Sequence, residues 1–224
     1  MKILAIECTH GFASAAVSNG ERVVERRLAE WQKTAESLVP LVMQVMDEAG
    51  LTVAELDGVA VSSGPGSFTA LRIGLSVAKG SAFGAGLPLV PVPTLLAMAD
   101  AAAKHTAATH IVPVIPSRAG EYFYSIFSQE DGVLSEIDSS RCLVSELPGR
   151  LAALTGSLAI VSRPFDLLAE EAPSLAPYLL DASFFSAATL LSHACKSLAE
   201  GAAGTAAGTL PDYRQAFVPA QRQG

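Results

Sequence analysis

Three short strands crowd the first thirty-one residues before any helix can form. That order constrains the fold more than any other feature. Residues 2–7 read as a buried strand and 12–18 as a second. Asn19-Gly20 is a strong hairpin turn into a third strand over 21–31. Helices and strands then alternate. Leu38, Leu41, Val42, Val45, Met46 and Ala49 recur at helical spacing, and Gly50 closes that helix. Pro40 falls in its first turns, where proline is tolerated. Thr52 to Glu55 fits a capping box. A strand over 58–63, a helix over 68–83, a strand over 89–92 and a helix capped by Thr94 and running to about Lys104 follow. An antiparallel start continued by crossover helices predicts an α/β fold: a mixed sheet with helices packed on it.

The texture changes after His105. Residues 111–115, 121–128 and 158–162 read as strands, and Asp131-Gly132 reads as a turn. Ser145 begins a weak helix interrupted by Pro148-Gly149. Residues 184–200 predict a strong helix, and 210–224 a polar, extended tail. No clean repeat is visible, but the second half could be a degenerate echo of the first, with a boundary near 100–110.

Composition narrows the function classes. Half of the 224 residues are hydrophobic, only 17% are charged, and the net charge is −7. This excludes a disordered chain and argues against phosphate-backbone binding by the chain's own surface. The sparse charge suggests a surface covered by another subunit. Cys8, Cys142 and Cys195 show no CxxC spacing, which excludes a disulfide scaffold or zinc knuckle. Glu7 interrupts the first apolar stretch, so no signal peptide is expected. The long uncharged run over 80–99 holds Pro88, Pro91 and Pro93, which would break a spanning helix. A reduced, soluble, cytoplasmic protein is expected, with no membrane contact.

Ser63-Gly64-Pro65-Gly66-Ser67-Phe68-Thr69-Ala70-Leu71-Arg72-Ile73-Gly74 is the most specific local feature. A strand ends, two glycines turn the chain, and a helix begins. Two readings are open: a phosphate-binding loop, or a plain turn capped by Ser67 or Thr69. Thr69 stands where a dinucleotide fingerprint needs its third glycine. Lys79-Gly80-Ser81 scrambles a Walker loop, and Gly74-Leu75-Ser76-Val77-Ala78 lacks the last glycine of a nucleophile elbow. Glu7 and Thr9, at the end of the first strand, could face a metal-phosphate or simply cap the strand. His105 and His110 cross from helix to strand, which speaks against one zinc face. His193 reads as a helix-surface histidine, and Arg118 to Glu121 as a charged turn with a possible ligand role.

Residues 64–74 resemble the G-P-G-S-F-T-G-L-R-I-G signature of the TsaB (earlier YeaZ) family, bacterial partners in making threonylcarbamoyladenosine on tRNA. The opening strand with Glu7 and Thr9, the Leu38–Pro40 region, Ala78-Lys79-Gly80, Leu87-Pro88-Leu89-Val90, Arg118-Gly120-Glu121 and the late Pro211, Tyr213 and Arg214 resemble the family's flanking segments. The resemblance is strong over 1–100 and faint but ordered afterwards. It implies the actin-like, Hsp70-like ATPase fold with two ribonuclease-H-like lobes, here 1–104 and a smaller, degenerate 105–224.

Glu7, Thr9, Ala70 and Pro116 stand where the family has Asp, Ser, Gly and Asp. These departures point away from a working nucleotide cleft. Residues Glu7, Thr9, Gly64, Pro65, Gly66, Ser67 and Thr69 are then a vestigial phosphate loop, with ATP only in a complex or at a degenerate cleft. The paralogue TsaD carries catalysis and binds metal through an H-x-x-x-H motif that this chain lacks. The resemblance therefore implies a non-catalytic subunit without metal, cofactor or catalytic residues of its own. It would pair with a TsaD-like paralogue, recruit a TsaE-like ATPase and meet tRNA only indirectly. The pairing surface implied is the first two long helices, with Leu38, Leu41, Val42, Val45, Leu71, Leu75 and Ala78, and the isolated chain is expected to be a homodimer. An ATPase or phosphotransferase of the same fold, and the family's old glycoprotease label, are the alternatives.

Overall fold

The computed structural model describes residues 1–9, 11–28, 31–163 and 165–213. Arg214 and the rest of the expected tail lie outside the described residues. The first sheet holds β1 (Ile3–Glu7), β2 (Ala13–Ser18), β3 (Val23–Leu28), β4 (Gly58–Gly64) and β5 (Leu89–Pro93) in the order β3-β2-β1-β4-β5. The first three strands are antiparallel, and β4 and β5 run parallel to β1. The hairpin turn forms where the sequence places it. Gly20 takes a φ of +101°, and Asn19 Oδ1 accepts from the amides of Glu21 and Arg22 at 3.2 and 2.9 Å.

The helices of this half are α1 (Thr34–Ala49), α2 (Phe68–Ala85) and α3 (Thr94–Ala102). Left-handed Gly50 and Gly86 end the first two. Ser67 caps α2 as anticipated, its hydroxyl accepting from the Ala70 amide at 3.5 Å. Thr94 does not cap α3. Its hydroxyl instead accepts the Gly64 amide at 3.1 Å, pinning the loop after β4.

The second sheet is also mixed and five-stranded, in the order β10-β9-β6-β7-β8. Its strands are β6 (His110–Arg118), β7 (Glu121–Glu130), β8 (Val133–Leu143), β9 (Leu158–Ser162) and β10 (Leu179–Asp181). β8 and β10 go beyond the sequence reading, as does the helix α5 (Phe165–Glu171). The weak helix survives as α4 (Leu147–Leu151), with its proline in the first turn. The helix expected over 184–200 is broken. A 3-10 turn, Ala187–Leu190, precedes a short α6 (Leu191–Ala199), and Ser186 is extended.

Strand alternation sorts side chains into three cores. Leu4, Ile6, Val59 and Val61 face α1 and α2. Val112, Val114, Tyr122, Tyr124 and Ile160 face α4 and α5. Ile3, Ala5, Ala60, Ile111, Phe123 and Val161 face inward, onto a middle layer of α3, the Ala187–Leu190 turn and α6. The molecule is thus layered helix, sheet, helix, sheet, helix. The C-terminal elements pack on the first sheet although the second sheet precedes them in the chain. No helix among the described residues is long and apolar enough to cross a membrane.

Candidate functional site

A cleft of about 420 Å³ opens where the carboxyl ends of the parallel strands of both sheets meet. This is where open α/β sheets place ligands. One wall is Cys8, Thr9, Gly11 and Phe12 from the β1–β2 turn, with Ser67, Phe68 and Thr69 from the start of α2. Ile115, Pro116, Ser117 and Arg163 form the other.

The cleft brings together only part of the expected loop. Thr9, Ser67 and Thr69 line it, whereas Glu7, Gly64, Pro65 and Gly66 lie behind the lining. Glu7 is buried, with 1% exposure. One carboxylate oxygen accepts from the Thr9 amide and hydroxyl, both at 2.6 Å, and the other accepts from the Ser62 hydroxyl. Of the two readings of Glu7, the geometry is that of a strand-end cap. Gly66 is pressed against Thr9: a Cβ there would stand 2.7 Å from the Thr9 carbonyl oxygen. The Ser67 amide donates to that same carbonyl at 3.1 Å. Gly64, at a φ of +116°, precedes a cis bond to Pro65. The chain near Asp212 crosses over it, and the Asp212 amide donates to the Ser63 carbonyl at 2.7 Å. Cys8 donates its Sγ–H to the Ala70 carbonyl at 3.0 Å. Burial, then the nearby Glu7 charge, pushes its thiol far above the ordinary range, which favours the protonated form. Ala70, where the resembled family has glycine, packs its methyl into the core beneath α2.

Sequence reasoning missed two cleft residues, Arg163 and Ser117. Arg163 follows β9, and its guanidinium lies 4.1 Å over the Phe12 ring, with Arg27 over the same ring at 5.3 Å. One Arg163 nitrogen donates to the Ala182 carbonyl. Ser117, one residue before the end of β6, lines the same space. The signal for Arg163 was its place just past a parallel strand, and an apolar-pattern search passes over it. The other singled-out groups lie elsewhere. His105 stacks on Phe184 with ring centroids 4.5 Å apart, while His110 opens β6 beside Thr109. Arg118 pairs with Glu121 at 2.7 Å on the β6–β7 turn, and that hydrogen bond holds the carboxyl below its ordinary value.

The seven residues expected at a pairing surface require correction. Leu38, Leu41, Val42, Val45, Leu71, Leu75 and Ala78 are all buried within this chain, under α1 and α2. Helical periodicity selects the face that meets the sheet, not the face left over. The outward apolar side chains of these helices are Val39, Met43, Phe68 and Phe83, with Met43 61% and Phe83 82% exposed.

Comparison with known proteins gives the relationships of this site. A family model described as TsaD, tRNA N6-adenosine threonylcarbamoyltransferase, matches residues 30–146, just over half of the chain. The chain is 28% identical to the tRNA threonylcarbamoyladenosine biosynthesis protein TsaB of Escherichia coli K12 over 205 residues, covering 90% of this chain and 89% of that protein. It is 34% identical to TsaB of Haemophilus influenzae over 126 residues, 56% of this chain and 53% of that protein. Among solved structures, YeaZ from Pseudomonas aeruginosa superposes with a TM-score of 0.76 at 26% identity, covering 95% of this chain and all of that one. The two mixed-sheet lobes are those of the actin-like fold. With its family model, its relatives and its folded neighbour in agreement, the chain belongs to the TsaD family of tRNA N6-adenosine threonylcarbamoyltransferases, in its TsaB/YeaZ group.

Proposed function

We propose that this chain is an accessory subunit in the biosynthesis of threonylcarbamoyladenosine on tRNA, and that a TsaD-like paralogue carries the transfer chemistry. The observation that carries this reading is the likeness to TsaB over nearly the whole of both chains. The inward-turned Glu7 supports the accessory role. Its carboxylate is engaged by Thr9 and Ser62, and a group so engaged is poorly placed to hold a metal-phosphate in the cleft. The paralogue docks on the outward face of α1 and α2, where Val39, Met43 and Phe83 are unusually exposed for apolar side chains. The same face pairs two copies when the chain is alone. A TsaE-like ATPase joins the pair, tRNA is met mainly through the paralogue, and the complex works in the cytoplasm.

Genetic depletion tests the function. Loss of the chain is expected to remove threonylcarbamoyladenosine from tRNA digests read by mass spectrometry; unchanged modification rejects the reading. Met43→Glu is expected to keep the fold, weaken capture of the paralogue at least about tenfold and shift isolated dimer to monomer. Leu41→Glu unfolds the chain instead, because it buries a charge. Full capture by a folded Met43→Glu variant rejects this face.

A further inference from the structure

We infer that residues 204–213 form a latch with a seated and a released position, and that it couples the outward face of α2 to the wall of the cleft. The coupling lies within this one chain, so it stands or falls apart from the question of which partner docks on α2.

The strap that follows α6 begins as a bridge on β5, where Gly204 and Leu89 exchange two backbone hydrogen bonds, both at 3.0 Å. A turn then closes at the buried Thr209, whose amide and hydroxyl donate to the Thr205 carbonyl at 3.1 and 2.9 Å. Beyond that anchor Leu210 and Asp212 are exposed. Yet the last two residues of the strap reach the two ends of one loop. The Asp212 amide donates to the Ser63 carbonyl at 2.7 Å, and the Asp212 carbonyl lies so close to Gly64 that no Cβ fits there. The Tyr213 ring lies against Phe68, the first residue of α2, and its hydroxyl accepts from Arg72 Nε at 3.0 Å. Residues 64–67 are thus stapled at entry and exit by two adjoining residues.

The stapled loop belongs to two surfaces at once. Phe68 lines the cleft beside Ser67 and Thr69, and it is also 50% exposed. Arg72 is exposed one turn further along α2, with its guanidinium 3.8 Å over the Phe68 ring. The loop is pinned from the opposite side by Thr94, whose hydroxyl accepts the Gly64 amide at 3.1 Å. That pin is rigid, because Thr94 is fully buried at the start of α3 in the middle layer. The strap is the light pin. It holds the loop by one backbone hydrogen bond and one cluster of partly exposed side chains, which places it at the low end of local stability. A contact that takes Phe68 or Arg72 from Tyr213 also loosens Asp212, its neighbour in the chain. The loop then keeps only the Thr94 pin. By linkage, a change that loosens the loop from the Thr94 side weakens the seat of the strap in turn.

Amide hydrogen exchange of the full chain, followed residue by residue by NMR, tests the latch. Three hydrogen-bonded amides report on it: Asp212 on the strap, and Gly64 and Ser67 on the loop. Tyr213→Ala is expected to speed exchange at Asp212 at least about tenfold and at Gly64 and Ser67 at least about threefold, while Leu4 and Ile160 in the sheet centres keep their rates. Arg72→Gln should give the same pattern at smaller size. From the other side, Thr94→Val removes the acceptor of the Gly64 amide and should speed exchange at Asp212 about three- to tenfold. Leu168→Ala, in the outer core of the second sheet, should leave all three reporters unchanged. Should Thr94→Val not fold, Tyr213→Ala and Arg72→Gln decide. Any of four results overturns the inference: Tyr213→Ala frees Asp212 but neither loop amide; exchange rises evenly along the chain, the mark of mere packing; a folded Thr94→Val chain leaves Asp212 as in the wild type; or Leu168→Ala moves the reporters as much as Tyr213→Ala does.

Discussion

Gly74 is where α2 meets β1, and it shows how a single hydrogen can set a packing distance. A Cβ there would stand 2.5 Å from Cys8 Sγ, with Ile6 and Val61 behind it at 3.9 Å. Gly74→Ala is therefore expected to cost about 1–3 kcal/mol by overpacking. Adding Cys8→Ala empties the space the new methyl needs, so the double variant should recover part of that loss in urea denaturation. Glu7→Ala removes the acceptor of three buried donors and should cost roughly 2–4 kcal/mol, more than Ser62→Ala alone. His193 gives a pH signature. Burial, opposed by Asp100 at 3.5 Å and aided by Lys104 and Lys196, lowers its imidazole below the usual 6.5. The unfolded chain then takes up the proton first as pH falls. Stability present at neutral pH is lost as pH drops below about 6.5, and His193→Asn should flatten that slope in denaturation measured from pH 7.5 to 5. At this scale the sequence could be read where a residue type has one use, as at Asn19-Gly20. It could not be read for Glu7, whose two candidate roles differ only in where the carboxylate turns.

Elements follow the sequence where their own periodicity suffices, and depart from it where other parts of the chain take over their backbone groups. The first half behaves in the first way: strands and helices from Ile3 to Ala102 form within a few residues of their apolar patterns. The segment over 184–200 behaves in the second. The Ala187 amide donates to Ser14 Oγ at 2.9 Å and the Ala188 amide to Glu25 at 2.9 Å. Those distant acceptors replace the bonds a continuous helix would make. β8 was illegible for a different reason. It is a mostly exposed edge strand with little apolar alternation, and it exists because the Asp131-Gly132 turn, both residues at positive φ, folds it back on β7. The C-terminal strap is built by tertiary contact too. The Tyr213 ring lies tilted against Phe68 with centroids 4.9 Å apart, and its hydroxyl accepts from Arg72 Nε at 3.0 Å, while Arg72 lies 3.8 Å over Phe68. Tyr213→Ala should cost about 1 kcal/mol. Phe68→Ala and Tyr213→Ala together should cost less than their sum, a coupling a double-mutant cycle reads directly.

At the scale of the molecule, the abundance of alanine has a source inside the fold. Ala5, Ala16 and Ala60 on the first sheet meet Ala97, Ala99, Ala102, Ala187 and Ala194 in the middle layer. Small side chains let helices lie close between two sheets, and many of the residues that make the composition so apolar are spent there. Composition counts residues without layers, so it could not separate this inner use from an outer interface. The same layer joins the halves. The sequence places a boundary after residue 104, yet the Ala187–Leu190 turn and α6 cover the inner face of β1 and β4. The first sheet therefore depends on chain that follows the second. A chain ending at residue 186 keeps every strand of both sheets but uncovers Ile3, Ala5 and Ala60 on one side. It is expected to lose the cooperative unfolding of its first half, while a point change in the outer core, such as Leu168→Ala on the buried face of α5, lowers the midpoint and leaves one transition. A sharp two-state transition in the truncated chain, by circular dichroism in urea, would show instead that α1, α2 and α3 hold the first sheet together without the later segment.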